Sequence, residues 1–313
     1  MEFVLGIDSG GTNYRVQAQG LDGSLLGAVV GPQASHRYLE REELLRRMNG
    51  TLDECLAQFG GKRQEIRYVV CGTTGIDSDE VERIVRECYE SLEGVECPVK
   101  LLNDAELAHY TVTEGKGVLL ISGTGSIAFG VNPEGKTGRA GGWPLPILGD
   151  QGSGTWVTKM ALRHLGRWLD GAVEDTLLTK GIRSQFGIAT RGQLIQTAAA
   201  GKSGPEGLPK LGALVNEAAA AGDPYAVEIL KGAAAELLPI VEDVVAALDL
   251  EQMEPDFELG LWGSNLLKSS VMLEEFKRLI GIRFPQARIR LPEREAIDGA
   301  VDMALKLCEQ NMK

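Results

Sequence analysis

The sequence lacks several features that would each indicate a particular class of protein. It contains no apolar run approaching the roughly 20 residues of a membrane-spanning helix. Its formal net charge of −12 argues against a nucleic-acid-binding protein, which favours a basic surface. Met1-Glu2 leads directly into an apolar strand, which leaves no room for a signal peptide. We therefore expect a cytoplasmic protein that binds neither membranes nor nucleic acids.

Histidine is scarce, and the cysteines are not paired. The three histidines, His36, His109 and His164, do not have the spacing of zinc ligands. The five cysteines lie far apart and form no Cys-x-x-Cys motif. This pattern is typical of reduced, mostly buried thiols and argues against a metal centre or a disulfide framework.

What the chain does contain is a glycine turn between two strands near its start. Phe3–Ile7 is an apolar strand ending at Asp8, and an extended pattern resumes at Tyr14–Ala18. Between them, Gly10 and Gly11 predict a tight reversal with positive φ. Such a turn can bring backbone N–H groups against a phosphate, and an acid at the strand end can hold hydrated Mg²⁺. An ordinary β-hairpin is the alternative for this stretch alone.

The same pattern of strands and turns occurs a second time, at Val118–Gly138. In the first copy, Gly11 is followed twelve residues later by Gly23, and in the second copy Gly123 is followed twelve residues later by Gly135. Internal repetition is informative about architecture. Two such phosphate-binding hairpins predict two similar domains that face each other across a nucleotide.

Periodicity predicts the element order β-β-β-α-β-α-β-α for the first unit. This order indicates a mixed sheet with an antiparallel start followed by parallel strands, and therefore an α/β fold. The second unit starts with three strands at Val118 and continues into a helical region from about Asp175 to Leu248. Breaks in that region are expected at Gly187, Gly201–Pro209 and Gly222–Pro224.

Four loop motifs fall at strand ends: Asp8–Asn13, Gly72–Gly75, Asn103-Asp104 and Gly123–Ser126. Ligands of α/β sheets bind outside the carboxyl ends of the strands. We expect the first three motifs to converge on one edge of the first sheet.

With these motifs the sequence resembles the sugar-kinase/actin/Hsp70 superfamily. Within it, the chain is most similar to the N-acetylglucosamine kinase branch of the BadF/BadG/BcrA/BcrD ATPase family. The resemblance covers almost the whole chain and depends on seven pieces in the right order. These are Gly6–Thr12 (GIDSGGT), Leu101–Asp104 (LLND), Ser122–Ser126 (SGTGS), Gly141–Trp143 (GGW), Gly149–Gly154 (GDQGSG), Gly222–Pro224 (GDP) and Trp262–Ser264 (WGS).

The resemblance implies two RNase-H-like, actin-like ATPase domains with an interdomain cleft. The N-terminal domain is expected at residues 1–117 plus 296–313, with the last helix packed back on it, and the C-terminal domain at 118–295. The implied activity is an ATP-dependent amino-sugar kinase that transfers the γ-phosphoryl group of Mg²⁺-ATP in line to a sugar hydroxyl.

The resemblance also assigns the nucleotide-binding residues. The first phosphate loop is Asp8, Gly10, Gly11, Thr12 and Asn13, and the second is Gly123, Thr124, Gly125 and Ser126. Gly263 and Ser264 match the adenosine motif. Asp8 is the expected metal residue, acting through water.

Asp104 matches the catalytic base of the family. A sugar hydroxyl must lose a proton as it attacks the γ-phosphate, and a carboxylate at a strand end can take that proton. The alternative for Asp104 is the N-cap of a helix predicted at Ala105–Val112.

The residues expected to bind the sugar come from both halves of the chain: His36, Thr74, Gly75, Asp104, Gly142, Trp143, Asp150 and Gln151. Two of them have structural alternatives, because Asp150 could cap the following helix and Trp143 could fill the core. His36 and Gln151 depart from the family pattern, in which an Asn and a Glu are common. These departures leave N-acetylglucosamine, N-acetylmuramic acid and glucosamine open as substrates.

Three other functions compete with the kinase. An activator ATPase of 2-hydroxyacyl-CoA dehydratases would hold a [4Fe–4S] cluster through cysteines, but no close cysteine pair is present. A ROK-type kinase would carry a cysteine-rich zinc loop, which the sequence lacks. A non-catalytic nucleotide-binding regulator is disfavoured by Asp104 and Asp150. A homodimer is expected from the family.

Overall fold

The chain forms two compact units in a computed structural model that describes residues 1–11, 13–76, 78–143, 148–199 and 209–311. The first unit comprises Met1–Gly115 and Pro292–Lys313, and the second comprises Lys116–Leu291. The domain boundaries that we expect from the sequence, 1–117 plus 296–313 and 118–295, stay a prediction.

The first unit is built on a five-stranded mixed sheet in the order β3-β2-β1-β4-β5. Its strands are β1 (Phe3–Ser9), β2 (Asn13–Gly20), β3 (Leu25–Pro32), β4 (Ile66–Thr73) and β5 (Val99–Asn103). Strand β2 pairs antiparallel with both β1 and β3, whereas β4 and β5 continue in parallel from β1. The predicted sheet, with its antiparallel start and parallel continuation, is confirmed.

Helices cover both faces of this sheet, namely α1 (Arg41–Ala57), α2 (Asp79–Glu90), α3 (Asp104–Thr113) and the last helix of the chain, α12 (Ala296–Asn311). Because strand side chains alternate between the two faces, Phe3, Leu5 and Ile7 pack with α1 and α2. Val4 points the other way and packs with α3 and α12. Each face therefore has its own hydrophobic core.

The second unit repeats this strand arrangement, in the order β10-β9-β6-β7-β8. Its strands are β6 (Gly117–Ser122), β7 (Ser126–Val131), β8 (Thr137–Gly141), β9 (Glu258–Trp262) and β10 (Arg288–Arg290). The two repeat glycines, Gly23 and Gly135, have φ of 85° and 81°. Each donates its N–H to the carbonyl three residues earlier. The repeated unit predicted from the sequence is thus present, with matching turns.

The remaining helices belong to the second unit. They are α4 (Gly154–Leu169), α5 (Leu177–Phe186), α6 (Arg191–Ala199), α7 (Pro209–Ala220), α8 (Pro224–Ala247), α9 (Leu250–Met253), α10 (Ser264–Leu267) and α11 (Ser270–Arg283). Helix α8 packs on β6, β7 and β8 and forms the centre of one large hydrophobic core.

Two of the three predicted helix breaks occur as expected. Gly187 ends α5 with φ of 66°, and Asp223 caps the start of α8. The third predicted break is Gly201–Pro209, and its residues 201–208 lie outside the described ranges. The predicted helix 105–112 begins one residue earlier, at Asp104.

Four of the cysteines are buried, Cys97 is half-buried, and all five are free thiols. This agrees with the pattern expected from their scattered positions. Within the described ranges, no helix is both long enough and apolar enough to cross a bilayer.

Candidate nucleotide and sugar site

Three of the predicted loop motifs lie at one edge of the first sheet. Strand pairing sets Asp8 opposite Gly72, and it sets Thr73 opposite both Ser9 and Asn103. The Thr74 N–H donates to the Ser9 carbonyl at 3.1 Å, which joins two of the loops. As expected, the carboxyl ends of β1, β4 and β5 meet at this edge.

The predicted first phosphate loop is Asp8–Asn13, of which Thr12 lies outside the described residues. The Gly10 N–H donates to the Asn13 carbonyl at 3.1 Å, and the Gln33 side-chain amide donates to the Gly11 carbonyl at 2.6 Å. The predicted positive φ at Gly10 and Gly11 is wrong, since neither residue has it. A Cβ placed on Gly11 would meet nothing within 4 Å. The glycines therefore leave open space beside the backbone rather than permitting an unusual turn.

Asp8 is half-buried at the end of β1. Burial raises the pKa of its carboxyl group, Arg15 on the paired strand lowers it, and Glu295 raises it further. A carboxylate whose charge is poorly solvated gains from a nearby cation. Carboxylate oxygens are ligands that Mg²⁺ prefers, so Asp8 is chemically suited to the metal role.

Asp104 is the first residue of α3, and its side chain is exposed. The cap of that helix is Asn103, whose side chain accepts from the Ala105 N–H at 2.9 Å. Glu106 completes a capping box by accepting from the Asn103 N–H at 2.8 Å. Asp104 also accepts from the Ala105 N–H at 2.9 Å. The alternative that Asp104 is the N-cap is therefore wrong.

The predicted sugar residues of the first unit lie beside this edge. His36 is half-buried and lines a cavity of about 10 Å³ with Ser9 and Thr73. Thr74 and Gly75 follow β4 directly. A Cβ on Gly75 would overlap the side chain of Arg37, a residue that the sequence motifs do not include.

The predicted second phosphate loop, Gly123–Ser126, contacts the start of α4. The Gly154 N–H donates to the Gly123 carbonyl at 2.8 Å, and both the N–H and the hydroxyl of Thr155 donate to the Thr124 carbonyl, at 3.2 and 2.8 Å. Because the carbonyls of Gly123 and Thr124 accept hydrogen bonds from α4, the helix fixes the backbone conformation of the loop. A Cβ on Gly123 would also meet nothing within 4 Å.

Asp150 lies against this loop and not at a helix cap. Its carboxylate accepts from the Ser126 N–H, and its Oδ1 would be 2.6 Å from a Cβ on Gly125. Burial raises the pKa of Asp150, and the Ser126 hydrogen bond partly offsets the increase. Ser153 caps α4 by accepting from the Trp156 N–H at 3.2 Å. The cap alternative for Asp150 is therefore wrong.

Gly142, Trp143 and Gln151 complete the predicted sugar residues of the second unit. The Gly142 N–H donates to the Ser126 carbonyl at 2.8 Å, and the Ser126 hydroxyl donates to the Gln151 carbonyl at 2.6 Å. Gly142 and Gln151 therefore contact the last residue of the predicted second phosphate loop, and Trp143 follows Gly142 in the chain. Trp143 is 56% exposed, so the alternative that it fills the core is wrong.

A pocket of about 480 Å³ opens beside the same loop. Gly123 and Thr124 line one side, and Ser264 of the adenosine motif lines another. Gly263 has φ of 97°, and a Cβ there would overlap the Ser122 carbonyl. Only glycine allows β9 and the second phosphate loop to approach this closely.

The pocket includes residues that sequence reasoning missed: Thr155, Thr158, Gly212, Ala213, Asn216, Asn265 and Lys268. Asn265 follows the WGS motif directly, and its amide donates to the Ser122 hydroxyl at 3.0 Å. Its position beside the motif was a usable signal. Gly212, Ala213 and Asn216 lie on α7, where no local pattern indicates a ligand.

Comparison with known proteins identifies the family. The model of the BadF/BadG/BcrA/BcrD ATPase family matches residues 5–304. This chain belongs to that family of ATPases, and the predicted family is confirmed.

Two curated relatives match almost end to end. The chain is 29% identical over 310 residues to the N-acetylmuramic acid/N-acetylglucosamine kinase of Clostridium acetobutylicum, covering 99% of this chain and 100% of that protein. It is 28% identical over 314 residues to the N-acetyl-D-glucosamine kinase of Dictyostelium discoideum, covering 97% and 98%.

Among solved structures, a Chromobacterium violaceum protein provisionally assigned as an N-acetylglucosamine kinase superposes with a TM-score of 0.73. That match covers 97% of this chain and 99% of the other at 22% identity, so it bears on the fold alone. The predicted α/β fold with two related units is confirmed.

Proposed function

We propose that this protein is an ATP-dependent amino-sugar kinase that transfers the γ-phosphoryl group in line to a sugar hydroxyl. The observation that carries the proposal is the pocket of about 480 Å³ that extends from the phosphate loop at Gly123 and Thr124 to Ser264. Its volume suits a small cofactor such as a nucleoside. The kinases named among the curated relatives support the substrate class.

In this proposal the two glycine loops bind the phosphates of ATP. Gly10, Gly11, Thr12 and Asn13 form one loop, and Gly123 to Ser126 form the other. Ser264 and Gly263 contact the adenosine. Asp8 holds Mg²⁺ through water, and the ion supplies neutralisation of charge on the phosphate oxygens.

Asp104 is the proposed general base. Its exposed carboxylate lies at the edge where β1, β4 and β5 end, and Asn103 performs the capping of α3. Asp104 would accept the proton that the sugar hydroxyl loses as its oxygen bonds to the γ-phosphorus and the bond to ADP breaks.

The proposed sugar residues are His36, Thr74 and Gly75 with Asp104, and Gly142, Trp143, Asp150 and Gln151. The exposed indole of Trp143 offers a flat apolar surface to a sugar ring. N-acetylglucosamine is the preferred substrate of the proposal, with N-acetylmuramic acid and glucosamine as alternatives. The proposal also includes a cytoplasmic location and a homodimer.

A coupled assay of ADP release tests the function. We expect release with Mg²⁺-ATP to require an amino sugar, and a panel of N-acetylglucosamine, N-acetylmuramic acid, glucosamine and glucose ranks the substrates. ATP turnover that does not depend on any sugar would contradict the kinase and favour the activator-type ATPase. Mass spectrometry of the product confirms that phosphate is on the sugar.

A further inference from the structure

Helix α4 borders a second pocket, of about 360 Å³, that shares no residue with the nucleotide pocket. One wall consists of α4 residues between Trp156 and Arg167, and the other consists of α8 residues between Tyr225 and Gly232. Thr155 and Thr158 of the same helix line the nucleotide pocket instead. The volume is within the usual range for small-molecule sites, about 300–1,000 Å³.

His164 gives this second pocket an unsatisfied polar atom. The residue is 6% exposed and lines the pocket, and its Nε2 is buried without a hydrogen-bond partner in the described part of the chain. Its ring lies 4.1 Å from that of Tyr225, measured between centroids. Buried polar atoms are nearly always hydrogen-bonded, so an Nε2 without a partner is an unusual feature of this wall. Burial lowers the pKa of His164, which favours the neutral ring near pH 7.

Two arginines stand at the rim, one helical turn apart. Arg163 and Arg167 are both exposed, and within the described ranges neither forms an ion pair with a carboxylate. Residues four apart on a helix lie on the same face, so the two guanidinium groups can act on one anion. Guanidinium groups bind phosphate with paired hydrogen bonds, which makes arginine well suited to phosphate recognition.

The walls between the arginines and His164 include aromatic rings. Trp156 and Tyr225 are half-buried and line the pocket. A Cβ on Gly232 would lie 3.1 Å from Cη2 of Trp156, so the glycine leaves room for the indole. Flat aromatic surfaces of this kind pack against rings. Glu228, also in the lining, can accept hydrogen bonds from ring hydroxyls.

From this combination we propose that the second pocket binds a small organic phosphate with a hydroxylated ring. The phosphate contacts Arg163 and Arg167, the ring lies beside Trp156 and Tyr225, and His164, which lines the same pocket, reports the binding. The site is separate from the proposed kinase centre and does not depend on the kinase assignment.

The small number of histidines makes a direct test possible. Protein labelled with ¹³C at histidine Cε1 should show three signals, and single His→Gln variants assign them. Glucose 6-phosphate is the probe, with glucose and inorganic phosphate as matched controls. We expect glucose 6-phosphate to shift the His164 signal in a saturable way, and both controls to bind at least about tenfold more weakly.

Matched variants locate the binding. R163Q combined with R167Q should weaken the effect of glucose 6-phosphate on His164 at least about tenfold. K277Q combined with R278Q, which removes the same charge from α11, should leave it unchanged. Binding at the proposed kinase site would instead move the His36 signal, so failure of the two proposals can be told apart.

Three outcomes would overturn the proposal. One is an equal response of His164 to inorganic phosphate and to glucose 6-phosphate. Another is an unchanged response in the double arginine variant. The third is a His164 signal that changes on dilution of the protein but with no probe, which would indicate that a second copy of the chain occupies the pocket.

Discussion

At the residue scale, two neighbouring side chains at the end of β5 differ in role. Asn103 caps α3, and Asp104 is the proposed base. The Asn103 side chain accepts a hydrogen bond from the Ala105 N–H, and the Asn103 N–H donates to the Glu106 carboxylate. These two bonds fix the start of α3. Asp104 is the exposed residue next to it. The LLND motif alone does not distinguish cap from base, because either Asn or Asp serves as an N-cap. Only the hydrogen bonds of the folded chain assign the cap to Asn103.

This separation predicts the effect of Asp104→Asn. If Asp104 is the base, kcat should fall by at least about a hundredfold because the substituted amide cannot take a proton. The melting temperature should stay close to that of the parent, since the cap is intact. Steady-state kinetics and a thermal melt measure both.

The matched control is Asn103→Ala. Loss of the cap should lower the free energy of unfolding by about 1 kcal/mol. A near-normal kcat in Asp104→Asn, within a few-fold of the parent, would show that Asp104 is not the base.

A second prediction concerns ATP affinity in variants of Gly11 and Gly123, the glycines of the proposed phosphate loops. Gly11→Val and Gly123→Val place a side chain in open space, so the fold should survive while the phosphates of ATP are obstructed. We expect affinity for ATP to fall at least about tenfold, which is about 1.4 kcal/mol. Isothermal titration measures the affinity.

Two further glycines serve as controls. Gly263→Val should instead destabilise the protein, because its φ is 97° and its Cβ would overlap the Ser122 carbonyl. Gly192→Val lies on α6 with nothing within 4 Å and should change neither property. Unchanged ATP affinity in both loop variants would rule out their role as phosphate loops.

At the scale of elements, the strands of both sheets could be predicted from the sequence, whereas the lining of the proposed nucleotide pocket could be predicted only in part. The short apolar run Phe3–Ile7 identifies a buried strand locally. Its neighbouring residues Phe3 and Val4 lie on opposite faces of the sheet. Gly212 and Asn216 of α7 reach the pocket only through the packing of α7 on α4 and α8, which no local pattern records. The φ angles of Gly10 and Gly11 were mispredicted because a glycine pair also occurs where space, rather than conformation, is required.

Asp223 joins two helices of the second unit. Its Oδ1 accepts from the N–H groups of Tyr225 and Ala226 at the start of α8, and its Oδ2 accepts from the Leu178 N–H at 2.8 Å. Burial by itself raises the pKa of this carboxyl, but these hydrogen bonds outweigh burial and the pKa lies below its usual value. The ionised form is thus the stabilising one.

The downward shift of the Asp223 pKa determines how stability depends on pH. The folded-state pKa of Asp223 is depressed. Its contribution to the free energy of unfolding is therefore fully present above the unfolded-state pKa of about 3.9, and it is lost as pH falls through the folded-state pKa. Asp223→Ala should lower the free energy of unfolding by about 1–2 kcal/mol at pH 7. Urea titrations of both proteins from pH 7 to pH 3 should show the difference shrinking toward acid. A difference that stays constant over this range would contradict the assignment.

At the scale of the whole molecule, the chain returns to its starting unit after completing the second one. Helix α12 packs on β1 and β4, and its Ala300, Ala304 and Cys308 share a core with Val4 and Val70. The sequence predicted a last helix packed back on the first unit, because one amphipathic helix follows the final strand. The depth of its packing could not be predicted, since it depends on a glycine almost 300 residues away in the chain.

That glycine is Gly6, in the middle of β1. A Cβ there would lie 2.7 Å from the Val301 backbone nitrogen and 3.1 Å from Cβ of Ala300, so backbone contacts backbone. Gly6→Val should push α12 away from the sheet, and overpacking of this kind costs about 1–3 kcal/mol. We expect the melting temperature to fall by about 3–10 °C. Hydrogen exchange should speed up in α12 more than in α8.

A matched variant separates this contact from the general effect of replacing glycine. Gly50 lies in α1 of the same unit, and a Cβ there would meet nothing within 4 Å, so Gly50→Val should leave exchange in α12 unchanged. If α12 keeps its protection in Gly6→Val, the close packing of the returning helix on β1 does not stabilise the first unit. If α12 loses protection in Gly6→Val alone, α12 is part of the core that holds Asp8 and the proposed first phosphate loop in place.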